Sequence, residues 1–299
     1  MIARSRPDDQ RRQIAPKTSV HITPLLPYAT LLLTFSAGLL LASPLPARAQ
    51  NLCSEESAEP VQIIALNERL ELTLEDGRIL RLSGIEAPRP TKSHPQAPAI
   101  LVKDLTPQLI GAAVFAKPLQ TTPDRWGRIP ALVFTPHPEN PGLMNFGQNL
   151  LETGRARWLW SPESRICRDN DLISESLARS QNLGLWKDPF YASVDAQNHD
   201  QLKTRSGEPI TLEGRVVNTG SGRSRVYLNL GPNRRNDASV TILKRLTKTM
   251  GKTSEPSDKP FAHLIGQKIR VRGWLDQRYG PQMEINSPDE IEIIDETVK

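Results

Sequence analysis

Cysteine and aromatic residues are scarce in this chain, and several motifs that announce a chemistry are missing altogether. Among 299 residues there are two cysteines, and aromatics are 5%. So few rings exclude a single large aromatic core. The five histidines, His21, His94, His137, His199 and His263, stand far apart, and none pairs with a cysteine or another histidine at zinc-ligand spacing. There is no phosphate-cradling glycine loop, no Gly-x-Ser-x-Gly elbow and no His-Glu-x-x-His helix. No internal repeat is strong enough to name. These absences leave few routes to catalysis, and any site must be built from carboxylates, arginines and scattered rings.

The N-terminus has the organisation of an export signal. Arg4, Arg6, Arg11, Arg12 and Lys17 form a basic start, an apolar run covers 25–42, and Ala47-Arg48-Ala49 supplies small residues at the cleavage positions. The reading is a signal peptide over 1–49, a chain starting at Gln50, and a periplasmic or secreted location. Once the signal is removed, no stable membrane span remains. The alternative is an uncleaved anchor helix, because the run approaches spanning length. Both cysteines, Cys53 and Cys167, fall in the exported part, where disulfides persist. A bridge between them is expected; two unrelated thiols are the alternative.

Net charge is +5, unevenly spread: residues 50–200 carry 15 basic and 19 acidic side chains, and 201–299 carry 17 and 12. The C-terminal part alone therefore favours a polyanionic partner. Alternation of Leu70, Leu72 and Leu74 with Glu71 and Thr73 predicts a half-buried strand, and Glu75-Asp76-Gly77 predicts a hairpin turn. Helices are expected over 99–111, 143–153 and 169–182, and strands over 114–119 and 129–134. Polar residues 195–206 lack apolar periodicity and read as a linker between a domain at 50–194 and another at 207–299. Strand signals resume at 210–217, 224–230, 239–243, 269–275 and 282–285. Pro-Lys-Ser-rich 248–260 interrupts them. Many short strands with glycine turns predict a small β-barrel.

Five pieces in the first domain follow one another in a known order. They are Leu72–Gly77 (L-x-L-x-D-G), Arg81–Pro88 (RLSGIEAP), Asp124–Arg128 (DRWGR), Gly154–Ala156 (G-R-A), and the Cys167–Trp186 stretch with C-x4-L, E-x2-A-R and G-L-W. Over about 61–190 the chain resembles the staphylococcal nuclease (thermonuclease) family. The resemblance implies an oligonucleotide-binding (OB) barrel with helices. The C-terminal LIGQKIRVRGWL…GPQMEI segment resembles a second OB-like barrel. The fold class expected is α+β, mostly β.

The family resemblance also implies Ca²⁺-dependent phosphodiester hydrolysis, with a carboxylate base and two arginines that steady the phosphoryl oxygens. The residues at those positions fit this only in part. Leu70 stands where the family places its first calcium-binding aspartate. Glu86 falls at the second acidic ligand and is the weak metal candidate. Ala87 follows without a side-chain oxygen. Arg89 occupies the place of the general base, where a guanidinium cannot accept a proton. Arg81 and Arg128 match the two arginines. The catalytic candidates are therefore Arg81, Glu86 and Arg128, with no cofactor expected unless hydrolysis survives with Ca²⁺. Three functions stay open: a catalytically degenerate protein that binds single-stranded nucleic acid or another polyanion; a rewired calcium nuclease in which one of Glu68, Glu71 and Glu86, near one rim, serves as base or metal ligand, with alternation putting Glu68 on the Leu70 face and Glu71 on the other so that at most a partial cluster follows; or an envelope scaffold with a protein partner.

In the second domain Lys268, Arg270, Arg272 and Trp274 alternate with apolar residues, and Arg225 and Tyr227 do the same on the expected partner strand. Cations for a phosphate backbone beside flat rings for stacking suit single-stranded nucleic acid. The plain alternative is a solvated outer face.

Overall fold

Leucines two residues apart set the first sheet. In the computed structural model, which describes residues 52–233, 235–247 and 261–294, Leu70, Leu72, Leu74, Leu80 and Leu82 are all buried. The expected signal peptide over 1–49, Arg234 and the segment 248–260 lie outside the described residues. The chain begins with β1 (Glu59–Val61), β2 (Ile63–Leu66), β3 (Glu71–Leu74) and β4 (Ile79–Leu82). The β3–β4 hairpin turns at Asp76-Gly77, as its sequence requires: Gly77 has φ 85°, and Asp76 Oδ1 accepts the Arg78 N–H at 3.0 Å. Next come β5 (Ile85–Glu86), α1 (Ala97–Leu109), β6 (Val114–Pro118), β7 (Arg128–Pro136), β8 (Leu143–Asn145) and α2 (Phe146–Glu152). Only the second part of the helix expected over 143–153 is helical; its first three residues pair with β7. Asn145 ends that strand and caps α2, its side chain accepting from Gln148 N–H. Two-residue β9 (Arg157–Trp158) pairs with β5, and α3 (Arg168–Ser180) follows.

The strand order β1-β6-β7-β4-β3-β2 forces the sheet to curl. Laid flat, its end strands β1 and β2 would stand about 24 Å apart. Yet only Gln62 separates them in the chain, and such a step spans about 7 Å at most. The curled sheet closes over a core that takes Leu101, Leu105 and Leu109 from α1 and Leu150 and Leu151 from α2. Beside it, the Cys53–Cys167 disulfide packs with Leu132 and Phe134 and ties the start of the described chain to the residue before α3. Gly154 and Gly184, from two separate motifs, meet backbone to backbone. Leu185 N–H donates to Gly154 O at 2.8 Å, and a Cβ on either glycine would overlap the other strand's main chain.

The second sheet is built from β10 (Ser193–Asp195), β11 (Pro209–Arg215), β12 (Asn218–Ser221), β13 (Arg225–Asn229), β14 (Ser239–Leu243), β15 (Lys268–Asp276), β16 (Gln282–Ile285) and β17 (Glu292–Ile293). Its order is β10-β11-β15-β16-β14-β13-β12, with β17 on β15. It curls for the same reason: β11 and β12 are five positions apart in the sheet but two residues apart in the chain. The architecture is thus mixed α and β, mostly strands, with curled, barrel-like sheets. Residues 195–206, expected as a linker, are instead structured. They hold the end of β10 and α4 (His199–Thr204), anchored by buried Ala196 and Leu202, with Asn198 as cap. One leucine suffices to seat a six-residue helix, and a single apolar position has no period to read. A last short helix, α5 (Lys244–Thr247), follows β14.

Candidate functional site

The three catalytic candidates are held in separate ion pairs. Arg81, on β4, reaches Glu163 Oε2 at 3.3 Å, and Gln120 donates to the other oxygen of that carboxylate. Arg128, at the start of β7, forks onto Asp124 through Nε and Nη2 at 2.9 and 2.8 Å and reaches Glu71 Oε1 at 2.9 Å. Desolvation pushes Asp124 up, but hydrogen bonds from Arg128 and the Trp126 N–H outweigh it and hold the carboxyl at about 2. Glu71 likewise sits below its ordinary range: burial raises it, and Asn67 and Arg128 lower it more.

Glu86 lies between two guanidiniums. Arg89 Nη2 and Nε donate to its Oε1 at 2.5 and 3.0 Å, and Arg157 Nε donates to its Oε2. Its side chain is largely buried, which alone would raise its pKa, yet the charges and hydrogen bonds of Arg157 and Arg89 bring it below the ordinary range. Arg89, expected to stand at the base position, thus points at Glu86, the expected ligand, and hydrogen-bonds one of its oxygens. Arg157 escapes sequence reasoning, because β5 and β9 are two residues each and the pairing Glu86↔Arg157 leaves no periodic trace.

Leu70 is core, 1% exposed, in a left-handed conformation with φ 58°. The turn at Asn67 imposes it: Leu70 N–H donates to Asn67 O, and Asn67 Oδ1 receives the N–H groups of Arg69 and Glu71. That turn also breaks the expected alternation, so Glu68 is exposed rather than on the Leu70 face. Glu68, Glu71 and Glu86 do not form the rim cluster. Among the described residues no group of three or more His, Cys, Asp or Glu stands where it could hold a metal ion. Two histidines each touch one buried carboxylate, His94 on Asp188 at 2.8 Å and His199 on Asp237 at 2.7 Å.

The basic face of β15 is corrected by the structure. Arg270 and Arg272 are each only 8% exposed, and they point at carboxylates rather than at solvent. Arg272 Nη2 donates to Glu175 Oε1 of α3 at 2.5 Å and to Glu292 Oε2 at 3.1 Å. Arg270 donates to Glu292 Oε1 at 2.6 Å and to Glu213 Oε1 at 2.7 Å. Ser193 Oγ donates to Glu213, Arg179 donates to Ser193 at 3.2 Å, and Arg179 returns to Glu175 at 2.7 Å. Three arginines and three glutamates thus close a ring that fastens α3 to the second sheet. Lys268 stands 3.9 Å from Glu213. Burial alone would raise Glu175, but Arg272, Arg179 and the Trp158 N–H bring it down to about 2. Asp171, one turn earlier on α3, is pushed up to about 8 by burial and by the charge of Glu175.

What remains open to solvent is a groove of about 1260 Å³ between the 159–162 segment and the second sheet. Trp274 is 60% exposed and Tyr279 89% exposed along it, and Tyr227 and Trp160 add two partly buried rings. Of the six residues expected to bind nucleic acid, Arg225, Tyr227, Arg272 and Trp274 line this groove, and Lys268 and Arg270 do not. Arg225 is paired with Glu284 across the sheet. Tyr279 was missed because it sits in the turn after β15, outside any alternating pattern. No protein-family model matches the chain, and no curated protein matches it.

Proposed function

We propose that this chain is an exported binding protein built on a nuclease-like OB framework that no longer hydrolyses phosphodiesters, and that it holds an extended polymer in the groove beside the second sheet. The observation that carries this is the double clamp on Glu86. A carboxylate with a guanidinium on each oxygen would seat a hard cation beside two positive charges, and its lowered proton affinity makes it a poor base, so it serves neither role well. The buried leucine at position 70 supports the same reading, since it offers no second ligand. The disulfide is compatible with a place outside the cytoplasm.

A second reading, a surface for single-stranded nucleic acid on the first sheet, rests on Trp126. Its ring is 60% exposed, with the guanidiniums of Arg125 and Arg128 at 3.9 and 4.6 Å. The test of the main reading is incubation of the chain from Gln50 onward with single-stranded DNA and Ca²⁺ or Mg²⁺, with and without chelator. Intact DNA in every lane is expected. Chelator-sensitive cleavage that disappears in Glu86→Ala would return the protein to the nucleases.

A further inference from the structure

The chemistry of the groove narrows what it can hold. Its wall carries three guanidiniums and three carboxylates, Arg225, Arg272 and Arg278 against Asp276, Glu284 and Glu290. Each cation is already engaged: Arg225 by Glu284, Arg278 by Asp276 at 2.7 Å, and Arg272 by Glu175 and Glu292. A polyphosphate laid here would meet as many negative as positive charges. It would have to break ion pairs to gain any contact, and little counterion release would drive it. Most of the remaining polar lining is uncharged hydroxyl and amide, including Ser239, Asn229 and Gln282. Two of the lining residues also carry buried polar atoms without a protein partner, Thr241 Oγ1 and Arg272 Nη1.

The exposed rings complete the pattern. Trp274 and Tyr279 are largely exposed rings; the Arg89 guanidinium lies 5.8 Å from the Trp274 centroid on one side, and solvent covers the rest of that ring and Tyr279. A sugar ring is the ligand unit that pairs an apolar C–H face with a rim of hydroxyls that both donate and accept. It can lie on an aromatic ring while its edge meets carboxylates, amides and hydroxyls. The volume also exceeds the roughly 300–1,000 Å³ of sites for single small molecules, so several linked units fit.

From these observations we infer that the groove is a binding site for a neutral, hydroxyl-rich polysaccharide strand. This rests on the reading of the protein as a non-hydrolytic binder and gives its ligand a chemical class. The experiment is calorimetric titration of the chain from Gln50 onward with two soluble neutral oligosaccharides, a β-linked glucose oligomer and a β-linked N-acetylglucosamine oligomer. An oligothymidylate is titrated in parallel, each at low and high salt. Saturable binding of at least one oligosaccharide is expected, unchanged by salt and weakened about tenfold or more in Trp274→Ala. Trp274 is exposed, so its loss leaves the core intact, and circular dichroism of the variant checks this. Two results would overturn the inference: no binding of either oligosaccharide, or salt-sensitive binding of the oligothymidylate alone that Trp274→Ala weakens. Cleavage of the oligothymidylate would overturn the reading beneath it instead, so the two failures are told apart.

Discussion

Replacing Arg272 by methionine should be among the most damaging single changes on the second sheet. Methionine keeps a flexible apolar stem of comparable reach but removes the guanidinium. Glu175, 1% exposed, then keeps Arg179 and the Trp158 N–H but loses its partner from β15, and Glu292 keeps only Arg270. Stripping one partner from a buried pair costs roughly 3–5 kcal/mol, and the surviving Arg179 contact lowers this to about 2–4 kcal/mol. The double variant Glu175→Gln, Arg272→Met should recover little of that loss, because the buried Arg179 then loses its own carboxylate partner. Urea unfolding followed by tryptophan fluorescence measures both. Limited proteolysis should also show the variant nicked between α3 and β11, where the ring holds α3 against the second sheet. A cost under about 0.5 kcal/mol, the level of a surface pair, would refute the ring as a buried fastening.

Asp171 gives a pH signature. Its folded pKa of about 8 lies above the unfolded value, so the folded state holds the proton more tightly, and stability falls as pH rises from about 4 to about 8. Asp171→Asn should remove that slope, worth at most ~5 kcal/mol, and raise the midpoint of thermal unfolding at neutral pH. Glu175 acts in the opposite sense, since its depressed pKa gives stability that is lost only as pH falls toward about 2. Cys53→Ser with Cys167→Ser opens a loop of 114 residues and should cost about 3–5 kcal/mol in calorimetry. Arg89→Ala should let the Glu86 carboxyl titrate higher, as followed by carbon-13 NMR, because one of its two guanidiniums is gone.

Alternation made the leucines of β3 legible, and the export-like N-terminus made the Cys53–Cys167 bridge legible. Strand signals placed β14 and β16 to the residue. The β15 face shows where such reading stops. Period two says that Arg270 and Arg272 share a face, but not what that face meets, and the partner Glu175 lies 97 residues away in the chain. A row of arginines looks the same over water as over buried glutamates. The sequence puts Arg89 at the expected base position, but neither its ion pair with Glu86, three residues back, nor the β5–β9 pairing that brings Arg157 to the other side leaves a pattern to read.

Arg89 and Arg157 neutralise the Glu86 carboxylate from both sides. Calorimetric titration of the chain from Gln50 onward with Ca²⁺, beside Glu86→Gln, puts this to the test. No saturable heat is expected in either protein. Saturable calcium binding in the parent chain that vanishes in Glu86→Gln would contradict it.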